Sequence, residues 1–105
     1  PHLIWHGVRI GQPDWAPWSH SLAFSLHHPE YDEKLHVMLN AYWKSLEFEL
    51  PALKSHETWH RIVDTSLAAP DDFMPLPTAP AVEQAVYPVQ ARSSVVLMVK
   101  HHEIS

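Results

Sequence analysis

His56-Glu57-Thr58-Trp59-His60 is a full match to H-E-x-x-H, the arrangement with which zinc peptidases hold their metal ion. That chemistry needs a helix, on which two histidines one turn apart share a face and the glutamate activates a metal-bound water. Here Arg61-Ile62-Val63-Asp64-Thr65 continues the match as a β-branched run, and Pro51 lies just upstream. On a strand, positions 56 and 60 stand about 13 Å apart, too far to share one zinc. The extended motif would need glycine at position 63 and histidine at 66, where this chain has Val63 and Ser66. Composition alone yields such a match with a chance of roughly 6%. His56, Glu57 and His60 are therefore read as a chance match, and neither a metal site nor a cofactor is expected.

The other groups that could do chemistry are also read as structural. Glu47 and Glu49, two apart, place their backbones roughly 6.5–7 Å from one another, near the separation an inverting glycosidase uses. They alternate with Leu46, Phe48 and Leu50, however, which is the pattern of a solvent face. His27-His28 and His101-His102 are adjacent pairs, so on strands their side chains point to opposite faces and cannot chelate together. The chain has no cysteine nucleophile, no G-x-S-x-G elbow, and too few glycines for a phosphate-cradling loop. No catalytic residue is assigned. Trp15 and Trp18 are the binding candidates. They sit in a Pro-Asp-Trp-Ala-Pro-Trp loop where no periodicity forces burial, free to stack on a sugar ring or to pack against a neighbouring domain. Trp5 and Trp43, inside alternating runs, are expected in the core.

Composition narrows the partners. The formal charge is −5, and the seven Lys and Arg are scattered singly, so no basic stripe exists to follow a phosphate backbone and no nucleic acid is expected. No apolar run reaches the roughly 18 residues of a membrane span and no signal peptide opens the chain, so a cytoplasmic protein is expected. Without cysteine the fold rests on packing alone. Ten histidines make its charge steeply pH-dependent.

Ten prolines and two glycines point to short strands joined by proline-punctuated loops. Leu3 to Ile10 reads as a first strand, and Ser21 to His27 alternates with Leu22, Phe24 and Leu26 inward. Val37, Leu39, Ala41 and Trp43 share a face in the next run. Leu46, Phe48 and Leu50 repeat that pattern after Lys44-Ser45, which suggests a hairpin. Trp59 to Thr65 is β-rich, residues 67–81 form a proline-rich loop, and Tyr87 to Ala91 is an edge strand. Ser94 to Lys100 is apolar on both faces and belongs in the middle of a sheet. The expected fold is an all-β antiparallel sandwich of about seven short strands, one domain over residues 1–105. Its core is expected to include Leu22, Phe24, Leu26, Val37, Leu39, Phe48, Val95 and Leu97.

Several stretches resemble the C-terminal β-domain of glycogen debranching enzymes of the isoamylase type, members of the α-amylase superfamily. They are Ile4-Trp5-His6-Gly7-Val8 with Gly11 to Trp15, Ser21 to Phe24, His36 to Trp43, Leu46 to Pro51, Asp64 to Leu67, and Ala91 to Leu97. The resemblance implies a β-sandwich packed against a catalytic barrel that hydrolyses α-1,6 branch points. The family's catalytic acids lie on that barrel and have no counterpart here, so the isolated chain is expected to be inactive. The implied partner is the barrel, in cis or in trans, or a second copy of the chain. Trp15 and Trp18 would lie at the junction, or, in the alternative, form a weak α-glucan-binding module.

Overall fold

The β-branched and aromatic runs build eight strands, with no α-helix among the described residues. The computed structural model describes residues 2–13, 15, 20–30 and 33–102. The strands are β1 (His2–His6), β2 (Ser21–His28), β3 (Glu33–Asn40), β4 (Leu46–Glu49), β5 (Glu57–Asp64), β6 (Ala81–Val82), β7 (Val86–Val89) and β8 (Ser93–His101). Six form an antiparallel sheet in the order β1-β2-β3-β8-β5-β6, and β4 pairs with β7 in a second, two-stranded sheet. The architecture is the expected antiparallel β-sandwich. β8, apolar on both faces, runs centrally between β3 and β5. Residues 67–81 are a loop apart from a 3₁₀ turn at Leu76–Thr78 and the start of β6.

Four local expectations fail. β1 ends at His6 rather than Ile10, because Gly11, at φ +72°, closes a turn whose N–H donates to His6 Nδ1 at 2.7 Å. The hairpin between positions 37 and 50 does not form. β3 stops at Asn40, and the chain crosses to the other sheet, where β4 pairs with β7. Asn40 fastens that crossing: its Nδ2 donates to the carbonyls of Lys44, Val89 and Gln90 at 2.9, 3.0 and 3.1 Å, and its Oδ1 accepts from the Tyr42 amide at 2.9 Å. Trp43 rides on that crossing at 62% exposure with Lys44 over its ring, and Trp5 is 40% exposed, so neither is a core residue.

The fourth failure decides the rest. Strand register places His6, Ala23, Met38 and Val95 in one row across the large sheet, and Ser25, His36 and Leu97 in the next. This is the buried face. Ala23, Met38, Val95, Leu97, Trp59 and Val99 pack against Phe48, Tyr87 and Val89 of the small sheet. Phe48, Val95 and Leu97 are core as expected, but Leu22, Phe24, Leu26, Val37 and Leu39 lie on the opposite face and are only half-buried. Alternation separates two faces without saying which is covered. The face richer in large apolar residues is the outer one, and the small sheet covers the one bearing Ala23, Ser25, His36 and Asn40.

Candidate functional site

The outer face of the six-stranded sheet is the first candidate. Cross-strand partners Leu22↔Leu39, Phe24↔Val37↔Val96 and Leu26↔Leu35↔Met98 lay eight apolar side chains side by side, all half-buried. The small sheet lies against the other side. At the β1 edge, Trp5 pairs with Phe24, their rings edge-on at 5.5 Å, and Trp15 stands edge-on to Trp5 at the same distance. Trp15 is 63% exposed, and the aromatic series it begins runs without a break into the apolar face. Trp18, its companion in the sequence reading, lies outside the described residues.

The histidine-glutamate motif comes apart in the way its strand setting requires. His60 turns to the face opposite Glu57, where its Nδ1 donates to the Ala79 carbonyl at 2.8 Å. Glu57 turns inward with a wholly buried side chain. Its Oε1 accepts from Lys34 Nζ at 2.9 Å and from the Lys54 amide at 3.0 Å, while its Oε2 lies 3.4 Å from His101 Nε2. Burial pushes this carboxyl up, but the Lys34 and Lys54 hydrogen bonds and the Lys34 charge outweigh it and hold it at about 2. Glu47 and Glu49 stand exposed on β4, where Glu49 Oε1 accepts from the Ile10 amide at 3.0 Å.

A polar chain inside the sandwich had no sequence signal. The Gly11 amide can only donate, so His6 Nδ1 accepts and the ring is neutral with its proton on Nε2. That proton reaches Ser25 Oγ at 3.0 Å, and Ser25 Oγ meets His36 Nδ1 at 2.9 Å. His36 is fully buried, its ring 6.0 Å from that of Trp59, and its Nε2 has no hydrogen-bond partner. Burial, aided by the nearby His6, pushes its pKa down to about 4. Asp64 is a second buried polar centre: Oδ2 accepts from Tyr87 at 2.8 Å, and Oδ1 accepts from the Ser66 hydroxyl and amide at 2.6 and 3.0 Å. Both clusters make their hydrogen bonds within the fold.

The sandwich thus has one packed face and one half-buried apolar face. The chain matches the family of isoamylase 1-3 C-terminal domains over residues 4–97, and it belongs to that family. It is 30% identical over 108 residues to isoamylase SU1, chloroplastic, of Zea mays, covering 93% of this chain and 13% of that protein. Isoamylase 2, chloroplastic, of Oryza sativa subsp. japonica is 33% identical over 107 residues, covering 90% and 13%. Isoamylase 1, chloroplastic, of the same rice is 36% identical over 72 residues, covering 69% and 9%. The chain thus spans only about an eighth of the length of the first two relatives, 13% of each. All three names carry a plastid location, which overturns the cytoplasmic expectation. That expectation rested on the lack of a targeting segment in these 105 residues. A stretch matching so small a share of its relatives carries no information on targeting.

Proposed function

We propose that this chain is the non-catalytic accessory β-domain of an isoamylase-type debranching enzyme. It packs through the outer face of its large sheet against the enzyme's catalytic barrel in cis. The observation that carries the reading is that face: eight neighbouring apolar side chains, half-buried, on the side away from the small sheet. Burying apolar area stabilises by about 25 cal/mol per Å², so a face of this kind favours a partner. The relatives' length supplies room for one in the same chain. Trp15 lies at the rim of this junction, and the enzyme acts on branched α-glucan in a plastid.

The exposure of Trp15 supports a second reading, a weak α-glucan-binding module, in which each stacked ring contributes about 1 kcal/mol. Titrating maltoheptaose into the isolated chain, followed by tryptophan fluorescence and amide NMR, separates the two. The accessory role predicts no saturable change, together with concentration-dependent self-association that Phe24→Asp suppresses. Saturable shifts that disappear in Trp15→Ala and Trp18→Ala would instead favour the glucan module.

A further inference from the structure

Where β5 begins and β8 ends, the antiparallel register pairs Glu57 with His101, and the His102 amide donates to the His56 carbonyl at 2.7 Å. Those two links draw together three ligand-bearing side chains from two distant stretches of the chain, namely His56, Glu57 and His101. Their ligand atoms all lie within 4.8 Å of one another. The His56 and His101 rings are stacked, 5.7 Å between centroids and 25° between planes. We propose that His56, Glu57 and His101 form a binding site for a divalent transition cation of the zinc class.

Glu57 is the strongest part of the case. Its side chain is wholly buried, Lys34 and the Lys54 amide occupy Oε1, and Oε2 has no hydrogen bond. Oε2 faces His101 Nε2 at 3.4 Å. A cation seated between these two atoms would meet both a carboxylate oxygen and an imidazole nitrogen. A zinc ion bonded at about 2.0–2.1 Å to tetrahedrally placed ligands sets neighbouring ligand atoms about 3.3–3.4 Å apart, which is the spacing already present between Glu57 Oε2 and His101 Nε2. Two imidazole nitrogens and one carboxylate oxygen form a donor set suited to zinc, with a fourth position left to water on the partly exposed His101 side. Lys34 then acts from outside the ligand shell by fixing the carboxylate's orientation. Glu57 and His56 belong to the H-E-x-x-H match, but the third ligand is His101 from the neighbouring strand and not His60. This replaces the expectation that the chain holds no metal.

The test is calorimetric titration of zinc sulfate into the chelator-stripped chain near neutral pH, with Co²⁺ absorption as an independent readout. The proposal predicts one saturable site per chain. Affinity should fall roughly 10- to 100-fold or more in His56→Ala and in His101→Ala, and stay unchanged in His60→Ala and His102→Ala. Both decisive histidines are at least partly exposed at strand ends, so an unchanged amide NMR spectrum checks their folding. The Co²⁺-loaded wild-type chain should give the intense visible bands of a four-coordinate site, a readout that needs no variant. Absence of saturable binding, binding that survives both substitutions, or loss in His60→Ala alone would overturn the proposal. A proton shared between Glu57 and His101, with no metal taken up, is the first of these outcomes.

Discussion

Acid should unfold this domain earlier than its carboxylates require, and His36 is the reason. An unfolded histidine takes up its proton near pH 6.5, whereas burial keeps His36 neutral in the fold down to about pH 4. Between those values the unfolded chain binds one more proton than the folded chain, so folding stability declines as the pH drops. The slope is about 1.4 kcal/mol per pH unit for a single group, and the 2.5-unit gap amounts to about 3 kcal/mol, fully lost below pH 4. That is a large part of the roughly 5–15 kcal/mol typical of a domain. His6, also lowered by burial, acts in the same direction, since protonating its Nδ1 breaks the Gly11 hydrogen bond. Glu57 acts elsewhere: held at about 2, it contributes stability above the ordinary carboxylate range that is lost only as pH falls from about 4.5 toward 2. The assay is urea unfolding at half-unit steps from pH 7.5 to 4, in the presence of chelator, for wild type and His36→Gln. The variant should be less stable at pH 7 but should lose most of the slope between pH 6.5 and 4. Parallel profiles for the two proteins would refute the reasoning.

Further predictions concern packing. Phe48→Ala should cost about 3–5 kcal/mol in chemical denaturation, whereas Glu47→Ala on the exposed side of the same strand should change stability by less than about 0.5 kcal/mol. Met38→Ala should cost about 2–5 kcal/mol, while its neighbour Val37→Thr on the outer face should cost less than about 1 kcal/mol in the isolated chain. The opposite order would restore the inverted faces. Asn40→Ala removes the four contacts that fasten the crossing between sheets and should cost about 2–3 kcal/mol, with weakened amide protection in β7 measured by hydrogen exchange. Tyr87→Phe strips Asp64 Oδ2 of its buried donor and should cost about 1–3 kcal/mol.

The legible features were those encoded locally. The apolar run from Ser94 to Lys100 marked a central strand because a strand buried on both faces cannot alternate. Pro88 marked an edge because it cannot donate to a ladder, and among the described residues β7 pairs only with β4. The family resemblance rested on stretches spread across the whole chain, which is why it held. What failed depends on distant partners. The sign of the faces in β2 and β3 is set by where β4 and β7 dock, and nothing in the alternation of Leu22, Phe24 and Leu26 encodes that. Asn40 looked like one more residue of a strand continuing to Trp43, and its capping role needs Val89 and Gln90 beside it. The Glu57–His101 pairing needs the β5/β8 register, so a motif search confined to consecutive residues offered His60 instead.

The central claim is that the outer sheet face is the junction with a catalytic barrel. The most direct measurement replaces the matching stretch of maize isoamylase SU1 with this chain and compares the chimera with one carrying Phe24→Asp and Val37→Asp. The account predicts that the first chimera unfolds in a single cooperative transition and retains isoamylase activity. It predicts that the doubly substituted chimera separates into two transitions with lower activity, although the isolated chain tolerates the same changes. Equal cooperativity and activity in the two chimeras would contradict it.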